Sequence, residues 1–187
     1  MTRLVQMSGL PGSGKSTVAR ALAPAINAIV LDHDDTKSAI MAAGVEPDLA
    51  GRSSYEVIKK LAAAFLATGQ SVVIDSPCLY LELLEAGRKI AVETGATYHF
   101  IECRLDDPLE LTRRIRGRTG QPSQTALGPL DDGEIEHRDA RRRAAEQFRE
   151  WDDAMQRPDE RLVIDTSQDA VGCATLAIRY VTGYAEP

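Results

Sequence analysis

An α/β fold built on a parallel sheet is predicted by two features of the chain. Short apolar runs at residues 4–7, 28–31, 72–74, 98–102 and 162–164 alternate with helix-compatible segments, and strands covered on both faces read as such near-continuous runs. The first run leads straight into Gly9-Leu10-Pro11-Gly12-Ser13-Gly14-Lys15-Ser16, a complete phosphate-binding loop in the strand-to-helix context that the motif requires. With 187 residues the chain is long enough for one well-buried core, and a single domain over residues 1–187 is expected.

The elements follow in order. Glycines in the loop let the backbone wrap a polyphosphate, and the next helix, expected over residues 16–23, stops before Pro24, which lacks an N–H to continue it. The second strand ends in Asp32-His33-Asp34-Asp35. Asp35 is expected to cap a short helix over residues 36–43, with His33 a partly exposed neighbour. Ser53-Ser54-Tyr55-Glu56 has capping-box spacing, and Tyr55, Ile58, Leu61, Ala62, Phe65 and Leu66 continue it with helical periodicity as far as Gly69. The third strand ends at Asp75. After the fourth, Asp107 caps a helix that has Pro108 in its first turn and carries Arg113, Arg114, Arg116 and Arg118. Residues 119–133 are rich in Gly, Pro, Ser and Asp and are expected to be a mobile loop. A charged helix over residues 134–155 then buries Ala140, Ala144, Phe148, Trp151 and Met155. The last strand passes through Asp165-Thr166-Ser167 into a helix starting near Gln168, a turn placed to border a nucleotide base.

Composition narrows the function. A net charge of −6 argues against a broad nucleic-acid surface, although a second arginine cluster occurs at Arg138, Arg141, Arg142 and Arg143. No apolar run approaches the length of a membrane span, and no signal-peptide pattern is present, so a cytoplasmic protein is expected. Cys78, Cys103 and Cys173 lack metal-ligand spacing and read as reduced thiols.

Phosphate-loop chemistry assigns roles to particular residues. Gly12, Ser13, Gly14, Lys15, Ser16 and Thr17 are the candidate nucleotide contacts for ATP or GTP, with Lys15 directed at the β- and γ-phosphates. Ser16 offers its hydroxyl to Mg²⁺, and Asp75, at the carboxyl end of a buried strand, is the candidate for the rest of the metal sphere, through water. Asp34 is the candidate general base for an attacking hydroxyl. Arg114 and Arg118, spaced i,i+4, present two guanidinium groups on one helix face, suited to clamping a triphosphate.

On these residues the chain resembles the P-loop kinases grouped with polynucleotide kinase, zeta-toxin and gluconate-kinase-like proteins. The resemblance rests on the phosphate loop through Thr17, on Asp32-His33-Asp34-Asp35-Thr36-Lys37, on Val72-Val73-Ile74-Asp75-Ser76-Pro77 and on Arg114-Ile115-Arg116-Gly117-Arg118. It implies a five-stranded parallel sheet with helices on both faces and an arginine-bearing lid, here about residues 114–134. It also implies that Asp34 is the base and that Lys37, where an arginine is often found, contacts the acceptor or phosphate; lysine lacks arginine's bidentate fork. The acceptor would sit between residues 34–60 and the turn at residues 76–80, which adds Ser76 to the substrate contacts. The expected activity is transfer of the γ-phosphoryl group of an NTP to a hydroxyl of a small molecule: a sugar, a nucleoside or a hydroxylated antibiotic. The alternatives are a 5′-hydroxyl kinase for polynucleotides or nucleotides, for which a basic channel is wanting, and a regulatory nucleotide-binding NTPase.

Overall fold

In the computed structural model, which describes residues 1–117 and 138–183, five strands pair in parallel: β1 (Arg3–Ser8), β2 (Ala28–Asp32), β3 (Ser71–Asp75), β4 (Thr97–Arg104) and β5 (Leu162–Asp165). Their order is β2-β3-β1-β4-β5, which puts the phosphate-loop strand at the centre. Side chains of β1 alternate between two cores. Val5 and Met7 pack with Val18 and Leu22 of α1 (Lys15–Ala25) and with Ala177 and Val181 of α7 (Ala170–Thr182). Leu4 packs on the other face with Ile58, Ala62 and Leu66 of α3 (Pro47–Ala67) and with Ile90 and Ala91 of α4 (Leu81–Thr94). Both faces are covered, so apolar residues occupy both side-chain phases of the central strands.

Local expectations fail where a neighbouring element overrides them. Helix α1 runs through Pro24, because the proline falls in the last turn, which closes with i→i+3 bonds from Ile26 N to Ala23 O and from Asn27 N to Pro24 O, each 3.3 Å. Helix α3 begins not at Ser54 but at Pro47, so Ser53, the cap of the box, lies inside the helix, where the next residue's hydroxyl, Ser54 Oγ, donates to Gly51 O at 2.7 Å. Helix α2 (His33–Ala42) starts earlier than residue 36, and Asp32 rather than Asp35 caps it. Helix α4, which has no side-chain cap to mark its start, buries Leu83, Leu84 and Ile90 and ends at Gly95, where φ is 68°.

Helix α5 (Pro108–Arg116) begins at the Asp107 cap as expected. Helix α6 (Arg138–Ala154) buries Phe148, with Trp151 packed beside it and Met155 buried just beyond. The side chains of Ala140 and Ala144, Arg118, residues 119–133 and the predicted helix start at residue 134 lie outside the described residues, as does the lid region beyond Gly117. Behind the phosphate loop, buried Glu102 accepts from Arg157 Nε at 2.9 Å and Arg161 Nε at 2.7 Å. Burial by itself would raise its pKa, but the two guanidinium groups outweigh burial and hold it below the ordinary value. All three cysteines are buried and free, and burial pushes the Cys78 and Cys103 thiols up to about 12. Among the described residues, no helix is long and apolar enough to cross a membrane.

Candidate active site

The phosphate loop is fixed by sterics. Gly9 adopts φ 136°, and a Cβ there would stand 2.2 Å from Cys103 O. Gly12, at φ 85°, would place one 2.7 Å from Leu111 O. Gly14, at φ 87°, has no atom closer than 3.6 Å, so its backbone conformation and not its surroundings demands glycine. Helix α1 starts at Gly14 with no side-chain cap, which leaves its N-terminus to be satisfied by an anion. Lys15 is buried over the loop with Nζ donating to Leu10 O at 3.1 Å. Ser16 is half-buried in the first turn and Thr17 is exposed.

A cavity of about 440 Å³ opens beside Gly12, Gly14 and Thr17 and is lined as well by Arg114, Thr166 and Gln168. Arg114 is anchored: Nε donates to Glu110 Oε1 at 2.9 Å and Nη2 to Thr166 O at 3.1 Å. The Thr166 hydroxyl lies 2.8 Å from Ser13 O and 3.0 Å from Arg104 O, joining the end of β5 to the loop. This is the turn that the sequence placed beside a base.

The carboxylates converge at the strand ends. Asp32 and Asp75 are register partners across β2 and β3. Asp32 Oδ1 accepts from Asp34 N at 2.9 Å and Asp35 N at 3.2 Å; its side chain thus does the capping assigned to Asp35, which lies in the first turn instead. Burial and the charge of Asp75 raise the Asp32 pKa. Asp75 is buried, and its Oδ2 has no hydrogen-bond partner among the described residues. The loop cradle that a Cβ would fill and this orphaned carboxylate oxygen fit a polyphosphate and its Mg²⁺.

A separate cavity of about 400 Å³ is lined by Asp34 and Lys37 of α2, Arg52 and Tyr55 of α3, and Leu79 and Tyr80. Asp34 is half-exposed, with Oδ1 3.5 Å from His33 Nδ1. Ser76, in contrast, is buried, and its Oγ accepts from Cys78 N at 3.3 Å; it shapes the turn and does not line this cavity. Cys78 takes φ 55° and is held by Gln6, whose Nε2 donates to Cys78 Sγ at 3.3 Å while Tyr98 OH donates to Gln6 Oε1 at 2.9 Å.

His33, expected to be partly exposed, is buried and stacked on Tyr55 with ring centroids 4.2 Å apart. Tyr55 meets Tyr80 edge-on at 5.3 Å. Sequence reasoning missed this aromatic wall and Arg52. A signal was present: with Pro47 read as the first helical residue, Arg52, Tyr55, Glu56 and Lys59 fall at i, i+3, i+4 and i+7, a polar and aromatic stripe along one helix face.

Residues 4–163 match the family model described as AAA domain. An uncharacterized protein of Mycobacterium tuberculosis is 27% identical over 137 residues, covering 66% of this chain but only 27% of that protein; the chain thus spans about a quarter of the curated relatives it matches. Among solved structures, a sugar kinase from Janibacter sp. superposes with a TM-score of 0.64 at 17% identity over 97% of this chain and 95% of the other. An APS kinase of Mycobacterium tuberculosis in complex with AMPPNP and APS gives 0.60 at 19% identity over 97% and 98% of the two chains. A gluconokinase from Sinorhizobium meliloti gives 0.62 at 16% identity over 97% and 92%. These likenesses establish the P-loop NTPase fold that the kinases share. By the match over residues 4–163, the chain belongs to the AAA_33 family of AAA domains.

Proposed function

We propose that the protein transfers the γ-phosphoryl group of ATP or GTP to a hydroxyl of a small molecule. The carrying observation is the presence of two separately lined cavities, one against the phosphate loop and one lined by Asp34. A protein that only hydrolyses nucleotide needs the first cavity; the second has the size and mixed lining of a ligand pocket. The sugar kinase, gluconokinase and APS kinase folds support the same reading by analogy.

In this mechanism Gly9 to Ser16 wrap the phosphates, and Lys15 leaves Leu10 O to reach the β- and γ-oxygens. Ser16 and Asp75 would hold Mg²⁺, with Asp32 beside them; when bound, the ion neutralises charge on the phosphates. Arg114 flanks the nucleotide between Gly14 and Thr166. Asp34 accepts the proton of the acceptor hydroxyl as its oxygen bonds to the γ-phosphorus. The bond from that phosphorus to the β,γ-bridging oxygen breaks, and the nucleoside diphosphate leaves.

The test is transfer of labelled γ-phosphate from ATP and from GTP across a chemically diverse library of hydroxyl acceptors. Label in a small-molecule acceptor is the expected result. Release of inorganic phosphate alone, unstimulated by any acceptor, would favour a regulatory NTPase. Labelling of oligonucleotide 5′ ends with a steep salt dependence would favour a polynucleotide kinase.

A further inference from the structure

The acceptor cavity is not closed at Tyr80. A second cavity, about 240 Å³, adjoins it and shares Arg52, Tyr55 and Tyr80 with it, adding Glu56, Lys59, Glu82 and Leu83; its two glutamates leave the Lys37–Arg52 end as the place for an anion and the outer end for an uncharged ring. At about 400 Å³ the inner cavity exceeds the lower bound of roughly 300 Å³ for ligand pockets, and the outer one falls below it. The outer space is therefore an annex of the inner one, and the two make one groove along α3.

Charge and rings are arranged along that groove. Among the described residues, neither Lys37 nor Arg52 pairs with a carboxylate, whereas Lys59 is held by Glu56 at 2.5 Å. The Lys37 stem lies over Gly51, with Nζ 3.8 Å from where a Cβ would stand, so both cations belong to the wall where α2 meets α3. Asp34 and Asp48 balance them within the cavity; position along the groove, not net charge, sets where an anion would rest. Tyr55 is immobilised between His33 and Tyr80, and Tyr80 is 51% exposed, leaving much of its ring uncovered at the junction of the two cavities. An exposed ring braced edge-on by a buried one is a stacking platform.

Resting on the phosphotransferase reading, we propose that the acceptor is an elongated anion: its hydroxyl-bearing end lies at Asp34, its anionic group between Lys37 and Arg52, and a flat ring on the Tyr55–Tyr80 shelf. The anion is a carboxylate or a phosphate, both of which a guanidinium can grip with two parallel hydrogen bonds.

Binding, not turnover, is the test. The full chain is saturated with a non-hydrolysable ATP analogue and titrated by calorimetry with phenyl glucoside, glucuronate, phenyl glucuronide and phenyl glucoside 6-phosphate, and with the matching ribosides. A compound carrying both ring and anion is expected to bind at least about tenfold tighter than those carrying one, the scale of a hydrogen bond to a charged group. The tighter of the carboxylate and the phosphate identifies the anion. Arg52→Gln should abolish the anion's advantage and Arg52→Lys should restore part of it, while Tyr80→Ala should abolish only the ring's advantage. Both residues are exposed, so these variants fold. Equal binding across the series, no binding by any ring-bearing anion, or an anion advantage that survives Arg52→Gln would overturn the proposal. Phosphoryl transfer to a small neutral acceptor would overturn it while sustaining the kinase reading. Ring-and-anion binding without transfer to any acceptor would do the reverse.

Discussion

At the nucleotide end, backbone does the work: Gly9 packs against Cys103 O, Gly12 against Leu111 O, and buried Lys15 lies over the loop. At the proposed acceptor end, side chains would do it: Asp34, Lys37, Arg52 and Tyr80 come from three stretches of chain and are half-buried or exposed. A backbone cradle tolerates almost no substitution and recognises a group common to many substrates. A lining of exposed side chains can be exchanged without harm to the fold, so specificity is free to vary there.

The sharpest way to break this contrast is Gly9→Ala. Its Cβ meets a main-chain carbonyl of β4, and overpacking together with a positive φ should destabilise the protein by roughly 2–4 kcal/mol and abolish nucleotide binding. Gly14→Ala meets no such obstacle and should lose only about 1–2 kcal/mol. Urea unfolding of both variants measures the difference.

Glu102→Gln probes the support behind the cradle, next to Cys103. Leaving Arg161 without its carboxylate, and Arg157 with Asp152 alone, should lose about 1–3 kcal/mol at neutral pH. The pH dependence has a definite sign. Because the folded pKa is depressed below 4.5, the stabilisation by Glu102 is present above 4.5 and is lost as pH falls through the lower folded value. Across that acid range the free energy of unfolding should rise with pH more in the wild type than in Glu102→Gln.

Arg114→Ala removes the bond to Thr166 O and one wall of the nucleotide cavity. Nucleotide affinity should fall about tenfold, measured by calorimetry, with acceptor affinity unchanged. At the other end, Lys37→Gln should leave the melting temperature and nucleotide affinity as they are and raise only the acceptor KM, the smallest effect on the protein itself.

The sequence and the structure agree most closely where a local rule has no competitor. The five apolar runs, the glycine loop and the Asp107 cap each depend on neighbouring residues alone, and each appears where expected. The cap of α2 was misassigned because Asp32 and Asp35 both satisfy the composition of an N-cap; only the path of β2 decides between them. Ser53 and Glu56 have the spacing of a capping box, yet α3 has already begun at Pro47. The aromatic wall depends on His33, Tyr55 and Tyr80 meeting across three elements, and no periodicity within one element reports that.

Whether the two ends can be separated is measured most directly by Lys15→Ala beside Asp34→Asn, with nucleotide affinity by calorimetry and γ-phosphoryl transfer at steady state on both proteins. Lys15→Ala should stay folded and lose transfer together with nucleotide affinity. Asp34→Asn should bind nucleotide within about twofold of the wild type while transfer falls by on the order of 10² to 10⁴, the usual contribution of a positioned base. If Asp34→Asn lost nucleotide affinity as Lys15→Ala does, or kept wild-type transfer, the division of the site into a nucleotide end and an acceptor end with Asp34 as its base would be contradicted.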